Sequence, residues 1–568
     1  MRAWYVILPI ALVWGAACGG DDDTTGGPAG TGGAGGAGGA TAGSGGAGGT
    51  SGGATGGGAG TAGVGGGGGS SGGGAGSSGS VLQHHNHPNR DGVYIDPVMT
   101  KAAAATMHVD TTFAMATYTG MVTAQPLYLV GAGSAPDLVI VVTGQNHAIA
   151  FNAATGARVW DETLGPPVPQ SMLAPLKSAQ CGNNVTPSIG ITGTPVIDEA
   201  TRTIYLNSMQ LNGSTAQHLV YALDADTGTT RTGWPVDLNT KATSANLAFT
   251  SLPHNQRGAL ALVRGRVLVP FGGHIGDCGD YRGWVVSISA TDPTQISTFA
   301  TRAIAGGIWA PSGIASDGSS IFFATGNTSG IVNDFTIPAM YGDGESVFKL
   351  PPDLTRTMAT TEYFVPTNWG MLDDADADLG GTGPLLVDVP GSTPSKLVVQ
   401  FGKDGKAYLI DRDVMGGQSA PPAVATVSSG GQATAIITAA AAYTTATGTY
   451  AAFRSGGTSG CPAANGAVRA IKITPGSPPT VAVAWCGGAA SRKSPAVTMT
   501  SSDGSDALVW MIGDDNKLRA LDGDTGTVVF NGGAATDAMS AVANFQTPIV
   551  AKGRIFAASN TQVFAFMP

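Results

Sequence analysis

Val220-Tyr221-Ala222-Leu223-Asp224-Ala225-Asp226-Thr227-Gly228, followed by Trp234, is one copy of a recurring unit. The first five residues suit a buried strand. The Asp can then fold back onto its own backbone, and the Gly supplies the positive φ that a tight turn needs. The pattern returns at Ala148-Ile149-Ala150-Phe151-Asn152 with Thr155-Gly156 and Trp160, and at Leu518-Arg519-Ala520-Leu521-Asp522 with Thr525-Gly526 and Phe530. Ala407-Tyr408-Leu409-Ile410-Asp411 repeats its first half.

Two apolar runs precede each copy. The first opens on proline, as in Thr194-Pro195-Val196-Ile197, Gly383-Pro384-Leu385-Leu386, Ser494-Pro495-Ala496-Val497 and Thr547-Pro548-Ile549-Val550. Proline has no N–H to give a neighbouring strand and is tolerated at a strand's first residue. The second run reads Thr203-Ile204-Tyr205-Leu206, Leu397-Val398-Val399 or Leu508-Val509-Trp510. Each unit is therefore a four-stranded antiparallel meander, with its aromatic residue placed to wedge against the next unit. Weaker copies start near Gln256, Trp309 and Ala433. About eight units fit, seven being the alternative, and radial packing of such sheets leaves no long open edge. The fold class is all-β, a single β-propeller over 108–568. Thr112 to Thr117 is expected to supply the last unit's missing strand and close the ring, and Pro97 to Met107 a short helix.

The rest of the chain is built differently. Arg2 precedes an apolar run from Ala3 to Trp14, the length of a signal-peptide core, and Gly15, Ala16 and Ala17 lead into Cys18. Residues 1–18 resemble a lipoprotein signal whose lipobox Cys18 is acylated, with ordinary secretion after the Ala pair as the alternative. Either way the chain is exported, and the lipobox implies an anchor in the outer membrane or at the cell surface. Residues 19–80 are nearly all Gly, Ala, Ser and Thr, which cannot offset their ordering entropy and are expected to form a disordered tether. Residues 81–107 form an extension in which His84, His85 and His87 read as a solvated segment.

Charged residues are 12% of the 568, and the net charge of −10 excludes the basic face a nucleic-acid partner requires. Export permits disulfides. Cys181, Cys278, Cys461 and Cys486 allow three pairings, among which sequence does not choose; Cys461 with Cys486 would be a local staple, leaving Cys181 to meet Cys278.

In a meander, the loop entering strand one and the loop joining strands two and three share a face. Cys181 to Ile189, His274 to Tyr281, Thr325-Gly326-Asn327, Asn368 to Gly381 and Lys403-Asp404-Gly405 therefore gather around one mouth of the central channel, the default ligand site of a ring fold.

The Asp-x-x-Thr-Gly-x-x-x-Trp pieces resemble the pyrroloquinoline quinone (PQQ) repeat family, as carried by quinoprotein alcohol dehydrogenases and by non-catalytic scaffold propellers. Three further stretches follow the dehydrogenase order: Phe322-Phe323-Ala324-Thr325-Gly326-Asn327, Asn368-Trp369 before Asp376-Ala377-Asp378, and Lys403 before Ile410-Asp411-Arg412. The resemblance implies PQQ with calcium or a lanthanide, the cation held by Asn327, Asp376, Asp378 and Asp277. It implies Asp376 as catalytic base, Lys403 on the quinone oxygens, and a small alcohol or sugar as substrate. The family's vicinal Cys-Cys pair is here a lone Cys181, and its metal-binding Glu is absent from Gly273-His274-Ile275-Gly276-Asp277-Cys278. No tryptophan is assigned beneath the quinone. A separate electron acceptor is needed, since no haem-attachment motif is present. The competing expectation is a non-catalytic surface propeller that holds a protein or glycan at the mouth and has no cofactor.

Overall fold

The computed structural model describes residues 79–329, 342–431, 434–456, 460–461 and 467–568. The signal segment, Cys18 and nearly all of the glycine-rich stretch lie outside the described residues. Residues 79–568 form an eight-bladed β-propeller. Blade 2 shows the plan: Val196–Asp198, Thr203–Asn212, Thr215–Asp224 and Val236–Asp237, antiparallel and adjacent in chain order. Blades 1 and 3 to 7 begin at Leu127, Ala261, Ala315, Leu385, Ala441 and Ala496, as the repeats require.

The Thr-Gly turns join the blades. Gly228 has φ +76°, and a Cβ there would stand 2.7 Å from Trp160 of blade 1, whose indole N–H donates to the Ala225 carbonyl. Trp485 of blade 6 likewise bonds the Gly523 carbonyl and lies against Gly526 of blade 7. Trp234 behaves differently, tilting onto Tyr205 of its own blade. Apolar side chains from facing sheets complete each junction, as where Leu138, Ile140 and Ala150 of blade 1 meet Ile197, Ile204 and Leu223 of blade 2. Each fully buried aliphatic side chain stabilises the junction by about 1.5–3 kcal/mol.

Two boundary expectations are corrected. Blade 8 is closed first by His108–Val109, paired with Phe566 and Met567, and the expected segment Thr112 to Thr117 joins only at its end, where Thr117 bridges Gln562 and the Ala116 carbonyl accepts the Val563 N–H. Asp110 explains the shift, because its carboxylate takes the Thr112 N–H and hydroxyl and turns the chain away. The helix is a single turn, Lys101–Ala104, with Thr100 accepting from the Ala103 N–H, so Pro97 lies ahead of it.

The extension is no solvated segment. It runs up the central channel and back as a hairpin that touches every blade. Val81 bridges Tyr128 of blade 1. The carbonyls of Leu82, Pro88, Asn89, Asp91 and Gly92 accept from Ile197, Ser316, Leu386, Ala442 and Val497, on the inner strands of blades 2, 4, 5, 6 and 7. Arg90 donates to the Leu260 and Ile314 carbonyls, at the entries of blades 3 and 4. Asp96 accepts from Gly553 of blade 8. Both ends of the hairpin lie opposite the mouth: Ser80 bonds Glu199, and Glu199 and Gly553 each sit in a turn between strands one and two. His84 and His85 stack at the tip, 1% and 0% exposed, while His87 is half-buried against Asp91. The cluster was misread because its burial comes from distant blades and leaves no local pattern.

Candidate functional site

Long, irregular connections form the mouth. Cys181, in the loop entering blade 2, is disulfide-bonded to Cys278 in the strand-two-to-three loop of blade 3, and Cys461 to Cys486 within blade 6. Blade 4 is the least regular: Ala315–Ser316 is only two residues long, and its outer strand Tyr363–Pro366 carries a parallel addition, Gly417–Ser419. From its edge the chain passes through Trp369–Asp374 and Leu379–Gly381 before entering blade 5.

Asp376, Asp378, Asn327 and Lys403 meet at this corner. The Lys403 ammonium lies 2.9 Å from Asp376 Oδ1 and 2.6 Å from Asp378 Oδ2. Asp378 is buried and accepts the Asn327 backbone N–H through its other oxygen at 2.6 Å, whereas Asp376 stands half exposed at the rim. Burial would pull the lysine down, but the charges of Asp378 and then Asp376 outweigh it and hold Lys403 above the ordinary lysine range. Gly326 makes the approach possible, since a Cβ there would stand 2.6 Å from Asp378 Oδ1 and 3.0 Å from Trp309 Nε1. That contact gives the Thr-Gly-Asn sequence its structural reason.

Asp277 is placed differently. Its carboxylate accepts the Tyr281 hydroxyl at 2.8 Å. Tyr281 is buried, and burial first, then the charges of Asp277, Asp378 and Asp376, push its hydroxyl well above the usual value.

The structure adds two residues that the sequence did not nominate. Trp309, in the loop entering blade 4, lies 5.3 Å from the Lys403 ammonium, measured to its ring centroid. Its position in a mouth-facing loop was the available signal. Glu345 is fully buried; it accepts the Leu379 N–H at 2.5 Å, and its Oε1 has no hydrogen-bond partner. Burial, then Asp378, raises its carboxyl well above the usual range. It follows the undescribed residues 330–341, and nothing in its neighbours marks it.

Two other cavities lie apart from this corner. One of about 740 Å³ is lined by Thr119, Gln145, His147 and Pro187. The other, of about 450 Å³, lies between blades 8 and 1 near Tyr128 and Lys552. Neither is lined by Asp376, Asp378, Lys403 or Trp309.

Among solved structures, the chain resembles the quinohemoprotein alcohol dehydrogenase of Comamonas testosteroni, with a TM-score of 0.55 and 14% identity, over 86% of this chain and 81% of that one. A europium-containing methanol dehydrogenase also matches, with a TM-score of 0.55 and 14% identity, over 84% and 89% of the two chains. The fold is that of the quinoprotein alcohol dehydrogenases. A third likeness is the quinohemoprotein alcohol dehydrogenase ADHIIG of Pseudomonas putida HK5, with a TM-score of 0.54 and 14% identity, over 86% and 80%. No protein-family model matches the chain, and no curated protein matches it.

The cation implied by the resemblance does not fit the donors as they stand. Lys403 already lies between Asp376 and Asp378, and Asp277 accepts the Tyr281 hydroxyl. Among the described residues no group of three or more His, Cys, Asp and Glu side chains is placed to hold a metal ion. A planar quinone fits better, since Trp309 offers a flat ring beside an ammonium suited to ortho oxygens.

Proposed function

We propose that the chain is an exported, lipid-anchored quinoprotein that oxidises a small alcohol or sugar at the channel mouth. The observation that carries this reading is the Lys403 ammonium, held by two carboxylates beside the Trp309 ring. A bound quinone would supply the acceptor for the two electrons released when an alcohol becomes a carbonyl. Asp376, at the rim, takes the substrate hydroxyl proton as general base. Lys403 is kept charged by its partners and stabilises negative charge growing on a neighbouring oxygen. Trp309 orients the ring, and Asp378, fixed by the Asn327 N–H, holds the lysine in place. No step is assigned to a metal ion. The electrons then leave to a separate acceptor.

A non-catalytic surface propeller that holds a protein or glycan at its mouth remains the second reading. It is favoured by the same ion pairs, which satisfy Asp376 and Asp378 without a cofactor.

Calorimetric titration of PQQ into the full chain decides between them. Saturable binding that survives EDTA, and that weakens at least tenfold in Lys403→Met and Trp309→Leu, supports the quinoprotein. No binding by the folded protein, with EDTA, calcium or a lanthanide, leaves the propeller as a scaffold.

A further inference from the structure

A second cation lies over the same indole. Arg257, in the loop entering blade 3, places its guanidinium carbon 5.1 Å from the Trp309 ring centroid and 4.7 Å from that of Phe545, in the loop entering blade 8. Its Nε–H donates to the Trp309 carbonyl at 2.9 Å, which fixes the plane of the group. The residue is partly exposed; among the described residues no carboxylate pairs with it, and its two NH2 groups make no protein hydrogen bond. Burial pulls the guanidinium down to about 10, which still leaves it charged at neutral pH. Lys403 is compensated by Asp376 and Asp378, and Lys493 by Asp514. An uncompensated guanidinium is conspicuous in a chain of net charge −10.

Such a group has a geometric preference. Two free NH2 groups in a rigid plane match the two oxygens of a carboxylate, and the Trp309 and Phe545 rings flank that plane. Arg492 stands beside Phe545, whose N–H its carbonyl accepts. Around Lys403 stand four acidic side chains, Asp373, Asp376, Asp378 and Glu345. They disfavour a phosphate dianion more than a carboxylate monoanion. Lys403 and Arg257 both lie over Trp309, so the two cations share one ring.

We propose that Arg257 anchors the carboxylate of a small hydroxy acid, whose hydroxyl then lies toward Asp376. The inference rests on the reading of the mouth as an oxidising site and names its substrate class, a sugar acid in preference to a neutral sugar.

The test is calorimetry on the full chain without quinone, with D-gluconate, D-glucose and D-glucose 6-phosphate as probes. Gluconate is expected to bind at least tenfold more tightly than either other probe. Arg257→Gln is expected to abolish that preference, and Arg257→Lys to retain part of it, both with thermal midpoints near that of the parent. Equal binding of gluconate and glucose, tighter binding of the phosphate, or a preference unchanged in Arg257→Gln overturns the proposal. So does loss of PQQ affinity in Arg257→Gln with gluconate binding intact, because Arg257 would then hold a carboxylate of the cofactor. Failure of the quinoprotein reading shows separately, as absence of PQQ binding by the parent protein.

Discussion

Two guanidiniums of the central channel carry similar chemistry and opposite accounts of it. At the hairpin tip, Arg90 is a buried guanidinium without a carboxylate, but it is enclosed by carbonyls: Nε–H donates to Ile314 at 2.8 Å, one amino group to His84 at 2.8 Å, and the other to Leu260 at 2.8 Å. At the mouth, Arg257 has one such bond and two unused amino groups. The acidic groups there are also unevenly satisfied, with Glu345 Oε1 left alone. Polar groups of the interior are normally paired, so a guanidinium saturated by carbonyls reads as structure and one with unused amino groups as a place for a ligand. The hairpin stabilises the ring, and the mouth keeps polar groups in reserve.

The contrast breaks most visibly at Arg90. Arg90→Leu would strand at least three carbonyl acceptors inside the channel and should cost on the order of 4 kcal/mol, read as a lower urea midpoint. An unchanged midpoint would mean that the hairpin is dispensable packing. Asp378→Asn should cost less, about 2–3 kcal/mol, by removing the buried partner of Lys403, and should weaken PQQ binding as well. Loss of stability without loss of binding would separate the ion pair from the ligand site.

Acid probes the hairpin tip. Burial is the main cause that lowers His85 from its ordinary 6.5 to about 4. Its neutral form is the folded one, so its stabilisation is complete above pH 6.5 and is lost as pH falls toward 4. At pH 5 the loss from this residue is on the order of 2 kcal/mol. His85→Phe should flatten the decline in thermal midpoint between pH 7 and pH 5 by that amount. The smallest effect belongs to Glu345→Gln. Because burial and Asp378 already favour the protonated acid, the amide should change stability by less than about 1 kcal/mol. A large destabilisation would show that Glu345 is needed as a carboxylate.

The blades were legible in the sequence because each is local. The Asp-x-x-Thr-Gly turn folds on itself, and Trp160 finds Gly228 in the next unit. Four site residues were legible for a related reason: repeat phase places Asn327, Asp376, Asp378 and Lys403 in loops of one face, and the structure brings them within hydrogen-bond reach of one another. The hairpin was not legible. Its histidines are buried by inner strands scattered over more than 400 residues of chain, and residues 81–96 alone resemble a polar linker. Arg257 and Glu345 were missed because one charged residue has no spacing to read. Only the finding that no carboxylate pairs with the first among the described residues, and that one oxygen of the second is left over, makes them stand out.

The most direct test of the contrast is a crystal structure of the full chain grown with PQQ. The account predicts density stacked on Trp309, within hydrogen-bond reach of Lys403, and an unchanged hairpin from Val81 to Asp96. Density in the cavity lined by His147 and Gln145, or a hairpin displaced from the channel to admit the ligand, would contradict it.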